Sequence, residues 1–474
     1  MPIDFSMLAG LPGLVALIVC LRRGPAYAFL NVYLPVLLLL PDDCRMPISG
    51  QLNFAESAII PIAAVYLWQE GRNWEWSLTD FLVLAFASLV VCSEYMNTEY
   101  WLAQHLAISM TTTVILPYIV AKGLIVRERM GVEIAKRITV LATFVAIVSV
   151  YQFRMTANPF TDFVSRLFPR IDNGASFRYG FARISGPWTH PILAGIILLF
   201  AYRTARWLEW TGEWRGSVPF LSFSLGTTYD RHGRSPIVSI SKVRFCEVAL
   251  VVGSLMTISR GPWLGAAMAA VVMMLVRTRH RTYVTLLAFF AAVIVAFPIY
   301  YAFDSYVKVD RFDGSNEARE SAAYRREMIE QYMVVAEERP EWGWGSSVTG
   351  QGLYPRVENM DSIDNHYLLL ALISGMFSLA ALVLLLLWVP VRLLGFSLRN
   401  VRDEPATSLA VTLLGSFILF AIAISTAWLG AQTQPLLFII AGWSEALLLA
   451  PSFVTAKVTS PVQEVSYGFE RVMV

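Results

Sequence analysis

Residues 248–276 read VALVVGSLMTISRGPWLGAAMAAVVMMLV, apolar throughout except for one charge, Arg260. At 1.5 Å per residue a continuous helix over this stretch is about 43 Å long. That exceeds what one crossing of a bilayer core needs and falls short of two full crossings. Both flanks are basic, Arg231–Arg244 and Arg277–Arg281, and basic flanks mark the cytoplasmic side of a membrane. Two flanks on one side require an even number of crossings. Gly261-Pro262 supplies the break, because proline drives the residue before it out of the α region. The sequence therefore predicts two short helices that meet at Ser259-Arg260-Gly261-Pro262 on the outer face.

The rest of the chain agrees with a membrane reading. Of its 474 residues 56% are hydrophobic and 15% charged, where a soluble fold carries about a quarter charged residues. Apolar runs recur from residue 4 to residue 452, which excludes a cytosolic enzyme on a small anchor. Spans are expected near 4–21, 26–41, 54–69, 79–95, 101–122, 134–153, 187–204, 244–259, 261–277, 281–302, 366–391, 406–428 and 432–451. The expected fold is all-α, a polytopic integral membrane protein of about 12–13 transmembrane helices. Basic clusters at Arg22/Arg23, Lys122–Arg137, Arg203–Arg244, Arg277–Arg281 and Arg392–Arg402 then fall on one side, the cytoplasm. Acidic short segments, at Asp42/Asp43 and Glu94/Glu99, fall on the other. The N-terminus is expected outside. One transmembrane domain, 1–474, would carry a cytoplasmic loop at 203–243, a large partly helical outer loop at 303–365 and a cytoplasmic tail at 453–474.

A net charge of +2 gives no footing for nucleic acid. Cys20, Cys44, Cys92 and Cys246 form no CxxC or Cys/His cluster, so neither a zinc site nor haem attachment is expected. In the 303–365 loop, residues 316–338 have helical character, with Met328, Tyr332, Val335 and Ala336 on one face and Arg325, Arg326 and Glu330 around it. Trp342-Gly343-Trp344-Gly345 follows, a weak dinucleotide signal on a face where nucleotides are absent. Asp361 and Asp364 could hold a divalent ion, but no third ligand is evident. Asp364 and His366 begin the next span. Asp364 is a candidate proton acceptor, with helix capping as its ordinary alternative. His190 reads as a packed or interfacial side chain. Arg183 and Arg260 lie at the outer ends of spans. The planar fork of arginine suits phosphate oxygens, and an arginine within an apolar run is a functional candidate.

The ordered set is RISGPWTHP at 183–191, SRGPWL at 259–264, Tyr324-Arg325, Pro340 with Gly343 and Gly345, and DNHYL at 364–368 with Gly375. Over roughly residues 140–390 it resembles the O-antigen ligase/polymerase superfamily of bacterial envelope glycan enzymes. The resemblance implies a glycosyltransferase of the inner membrane, with its active site facing the periplasm. Such an enzyme moves a glycan from undecaprenyl pyrophosphate to an acceptor glycan or glycolipid, without a nucleotide, cofactor or metal. Its partners would be the lipid-linked donor, the acceptor and the bilayer. The family's Arg-x3-Leu motif falls on Arg260 and Leu264. Its His-x10-Gly motif, counted back from Gly375, falls on Asp364, with His366 two residues later. Asp364 or His366 would be the base, Arg260 and Arg183 would bind the pyrophosphate, and Arg325 and Arg326 could contribute from the loop. The departure at the histidine leans toward a polymerase of O-antigen, capsule or exopolysaccharide, with ligation onto lipid A–core as the alternative. A lipid-linked oligosaccharide flippase or other transporter is the competing class. Transporters place polar groups at the midplane in repeated halves, and no internal repeat is visible.

Overall fold

A computed structural model describes residues 5–42, 44–46, 51–71, 74–166, 175–214, 216–224, 237–278, 280, 282–288, 290–291, 317–346, 363–401, 404–430 and 432–449. The 453–474 tail, Asp361, most of the 281–302 span and the ends of the 303–365 loop lie outside these residues.

The described chain is a bundle of helices. They are α1 (Leu11–Arg23), α2 (Pro25–Leu39), α3 (Phe54–Glu70), α4 (Leu78–Asn97), α5 (Tyr100–Glu128), α6 (Gly131–Met155) and the short α7 (Pro159–Ser165). There follow α8 (Pro191–Thr211), α9 (Lys242–Met256), α10 (Arg260–Val276), α11 (Glu317–Glu338), α12 (His366–Arg399), α13 (Pro405–Ala423) and α14 (Thr433–Leu449). Six of them, α4, α5, α6, α8, α12 and α13, are long and apolar enough to cross a membrane. Proline is accommodated inside two helices by a wide turn just before it: Phe29–Tyr33 precedes Pro35, and Thr111–Ile115 precedes Pro117. A π turn absorbs the missing donor and the clash with the preceding carbonyl.

Helix α8 starts later and ends later than the sequence spacing suggests. His190 caps it and Pro191 opens it, where a fixed φ costs nothing. Gly212, left-handed at φ 68°, closes it. Residues 203–211, expected in the cytoplasmic loop, are therefore helix. Two small antiparallel pairs also depart from an all-helical chain. β1 (Phe177–Arg178) pairs with β2 (Phe181–Ala182), and β3 (Ser217–Ser224) pairs with β4 (Ile237–Ser241). Hydropathy cannot announce such short ribbons.

Helices α8, α13 and α14 form the centre and are buried almost all round, as a helix apolar on every face requires. α8 packs on α6, α9 and α13, α10 and α12 pack on α13, and α14 packs on α5. α4 closes against α12. The outward faces carry exposed large apolar side chains, among them Leu14, Phe144, Ile147, Leu384 and Leu387, which suits contact with lipid.

Charged groups gather at the two ends of the bundle. At one end Lys122 pairs with Asp80 at 2.7 Å, the two side chains 4% and 3% exposed. Tyr118 donates to the same carboxylate at 2.6 Å. Beside them Glu445, fully buried, accepts from Thr79 and from Arg392. Arg127–Glu70 and Arg206–Glu247 lie at this end as well. The other end holds Arg183, Arg260 and Asp364.

Candidate active site

The sequence break at Arg260 is real in the structure: α9 ends at Met256 and α10 begins at Arg260. Between them Ile258 adopts φ 47°, a left-handed conformation that costs a β-branched residue about 1–3 kcal/mol. Two arginines hold the turn. Arg183 donates from Nε to the Thr257 carbonyl at 3.0 Å and from Nη2 to Ser259 Oγ at 2.8 Å. Arg178 donates from Nη1 to the Ile258 carbonyl at 3.0 Å. Both cations thus satisfy carbonyls at the negative end of α9.

The β1–β2 hairpin delivers them. Tyr179 and Gly180 occupy its turn at φ 52° and 77°, the positive pair a tight hairpin needs. The Ser176 carbonyl accepts from the Arg183 N–H at 2.8 Å. Arg183 is 8% exposed. Burial first, then Arg178, push its pKa down to about 10, and Asp364 opposes them. Arg260 is exposed on the first turn of α10 and bonds the Tyr179 hydroxyl, its guanidinium 5.8 Å from that ring's centroid. A helix N-terminus is a positive end where an anion is favoured.

The fourth cation comes from α11. Met328, Tyr332, Val335 and Ala336 pack against Leu368 and Leu372 of α12, the face expected from the sequence. Beyond α11 the chain crosses α12 in direct backbone contact. The Trp344 and Gly345 N–H groups donate to the Leu372 and Ile373 carbonyls at 2.8 and 2.9 Å, and the Met376 N–H donates to the Pro340 carbonyl at 2.7 Å. Gly375 sits at φ 76°, ψ 177°. A Cβ there would lie 2.1 Å from the Glu341 carbonyl oxygen. Gly343 and Gly345 serve this close approach. Glu94, expected on the acidic outer surface, is instead buried, and it accepts from the Ser346 N–H and hydroxyl. So fastened, α11 turns Arg325 inward. Burial lowers the Arg325 pKa, Asp364 opposes that, and Arg178 and Arg260 add to it. Arg326 bonds Glu330 at 2.6 Å along the helix.

Asp364 therefore stands in the field of Arg183 and Arg325 and acts in turn on His190. Capping of α12 falls to its neighbour, since Asn365 Oδ1 accepts from the N–H groups of Tyr367 and Leu368 at 3.0 and 3.3 Å. The His366 backbone N–H donates to the Ile424 carbonyl at 2.9 Å, and both ring nitrogens are enclosed with no hydrogen-bond partner among the described residues. His190, expected to be packed or interfacial, accepts the Ile192 N–H at Nδ1, 3.1 Å away. That bond leaves the proton of the neutral ring on Nε2. Burial first, then Arg183 and Arg178, hold its pKa down to about 4, with Asp364 opposing. The sequence signal for His190 was its place before Pro191 at a helix start. Nothing in the sequence ties Arg178 to the Ile258 carbonyl.

Residues 246–383 match the family described as Wzy_C, O-Antigen ligase. The match over this stretch supports the resemblance to the O-antigen ligase/polymerase superfamily. The O-antigen ligase match spans nearly all of α9, then α10, α11 and the first half of α12, and so includes Arg260, Arg325, Asp364, His366 and Gly375. Arg178, Arg183 and His190 precede the O-antigen ligase region, and the two arginines meet it through the 257–259 turn. No curated protein matches the chain.

Proposed function

We propose that the chain is a glycosyltransferase that moves a glycan from a lipid pyrophosphate to an acceptor hydroxyl at the periplasmic face of the bacterial inner membrane. The observation that carries this reading is that Arg178, Arg183, Arg260 and Arg325 share one end of the bundle with Asp364. Transfer of this kind needs a base at the acceptor and charge stabilisation at the leaving group. The acceptor oxygen attacks the anomeric carbon, and its proton passes to the Asp364 carboxylate. The bond from that carbon to the phosphate oxygen breaks, and undecaprenyl pyrophosphate departs with the electron pair. Arg260 and Arg325 receive the diphosphate. Arg183, held by three oxygens, adds fixed positive charge that needs no reorganisation.

Asp364 is preferred to His366 because the imidazole nitrogens are enclosed. Its place at the histidine position of the family motif favours polymerisation of O-antigen, capsule or exopolysaccharide. Ligation onto lipid A–core is the second reading, favoured by the ligase family that matches. The test is the purified protein with lipid-linked donor and either a second repeat unit or lipid A–core as acceptor. A lengthened repeat supports polymerase, a capped core supports ligase, and release of undecaprenyl pyrophosphate with neither acceptor refutes both. For sidedness, a cysteine at exposed Asp162 should react with an impermeant thiol reagent in intact spheroplasts, and one at exposed Glu133 only after lysis.

A further inference from the structure

The β1–β2 hairpin grips the turn between α9 and α10 from one side. Arg183 reaches the Thr257 carbonyl and Ser259 Oγ, Arg178 reaches the Ile258 carbonyl, and Arg260 donates from Nη2 to the Tyr179 hydroxyl. The bonds from Arg183 and Arg178 fix the turn, and the bond to Tyr179 fixes the Arg260 side chain. The backbone beneath Arg260 is seated from the other side. A Cβ on Gly261 would lie 2.0 Å from Thr426 Oγ1, and one on Gly195 would lie 3.1 Å from Pro262 Cγ. The start of α10 thus abuts α8 and the connection between α13 and α14. Little freedom is left to Arg260 beyond that of its own side chain.

Tyr179 is an unusual residue for its position. It holds φ 52° and is followed by Gly180 at φ 77°, and a two-residue hairpin turn of this kind favours Asn, Asp or Gly at its first position. A tyrosine there is strained. Its side chain is half-exposed, so burial offsets little of that strain. What the side chain does engage is Arg260. The hydroxyl accepts from Nη2, and the guanidinium carbon lies 5.8 Å from the ring centroid, within cation–π range. Arg260 is exposed and makes no other hydrogen bond or ion pair among the described residues. A guanidinium has five N–H donors in a planar fork, and the tyrosine occupies one nitrogen of it.

We propose that Tyr179 is a positioning residue for Arg260, holding its guanidinium by one nitrogen and leaving the remaining donors to an incoming diphosphate. An arginine free in water samples many rotamers, and a ligand that immobilises it bears that entropy. Tyr179 immobilises Arg260 beforehand, and the strained hairpin turn supplies the means. The inference rests on the reading of Arg260 as the diphosphate ligand, and the test below separates it from glycosyl transfer.

The test takes the purified full chain in detergent, the arginine-selective reagent phenylglyoxal, and inorganic pyrophosphate as the probe. Peptide mass spectrometry follows the modification of Arg260. Pyrophosphate should protect Arg260 in the wild type. Tyr179→Phe keeps the ring and removes the acceptor, and should need about two- to tenfold more pyrophosphate for half protection. Tyr179→Asn shortens the side chain beyond reach of Arg260 and suits the turn better. It should need at least as much pyrophosphate as Tyr179→Phe while its thermal midpoint is not lowered, the opposite of what a merely structural tyrosine would give. Equal protection in the wild type and Tyr179→Phe overturns the proposal, as does a wild-type Arg260 that pyrophosphate fails to protect. A lowered midpoint in Tyr179→Asn with unchanged protection also overturns it, since the tyrosine would then serve the fold alone. Turnover of lipid-linked donor is read separately. A wild type that shows the protection dependent on Tyr179 but transfers no glycan refutes the glycosyltransferase reading and leaves the positioning of Arg260 standing.

Discussion

Gly375→Ala should open the crossing between α12 and the segment after α11. The added Cβ would lie 2.1 Å from the Glu341 carbonyl oxygen and 2.7 Å from the Trp342 nitrogen, and backbone cannot yield as a side-chain tip can. The residue would also have to hold φ 76°, ψ 177°, a region almost confined to glycine that costs about 1–3 kcal/mol. Relief of the clash forfeits backbone hydrogen bonds from Trp344, Gly345 and Met376, each contributing about 0.5–1.5 kcal/mol. With one or two of them lost, the crossing is weakened by roughly 1.5–6 kcal/mol, about ten- to 10⁴-fold in its opening equilibrium. Hydrogen exchange reads this directly: the Trp344 and Gly345 amides should exchange faster by that factor while the amides of central α13 are unchanged. Gly395→Ala is the control, since a Cβ there meets nothing within 4 Å and alanine suits a helix better by about 1 kcal/mol. Wild-type protection at Trp344 in Gly375→Ala would refute the account of the crossing.

Arg260→Lys should lower transfer about 10- to 150-fold at normal protein level, the loss of one charge-assisted fork; undiminished turnover of lipid-linked donor would return Arg260 to a lipid anchor. Asp364→Asn should lower turnover by about 10²–10⁴ while His366→Ala retains most activity, and the reverse pattern in the same assay names His366 as the base. His190 has a folded pKa below its unfolded value, so the unfolded chain binds the proton first and stability falls as pH drops from about 6.5 toward 4. His190→Asn keeps a cap and cannot titrate, so melting curves across that window should show a shallower pH slope; an unchanged slope assigns it to other groups. Asp80→Asn leaves Lys122 buried without its counter-charge and should cost about 3–5 kcal/mol, seen as a lower thermal midpoint in detergent. A midpoint equal to wild type would mean that water reaches the pair.

The helix layout was legible because membrane spans write themselves in composition, and the break at Arg260 was legible because proline acts on its own neighbour. The buried face of α11 followed from spacing alone. Features made by chains meeting across space were not. The Arg183 side chain reads as an interfacial arginine until the hairpin sets it on the Thr257 carbonyl. Gly343 and Gly345 read as a loop motif because the carbonyls they approach belong to a helix nearly thirty residues on. Asp364 and Asn365 are both good caps by type, and only the fold shows which one faces the backbone. Glu94 looked like a surface acid because its partner, Ser346, lies in a distant loop.

The packing of α14 against α5 bears on how the protein is made. Glu445 completes the buried group that begins with Thr79, Asp80 and Lys122, yet it is synthesised roughly 320 residues after Lys122, tens of seconds at ribosomal rates of about 5–20 residues per second. Through that interval the early helices are in the bilayer without the partner that covers them. The Lys122–Asp80 pair can form as soon as α5 emerges, so these two charges are matched long before α14 is made. Thr79 and the neighbouring wall of α5 must wait. A chain stalled before α14 would present that wall to lipid or to membrane quality control, which gives the cell a physical mark by which an unfinished molecule differs from a finished one.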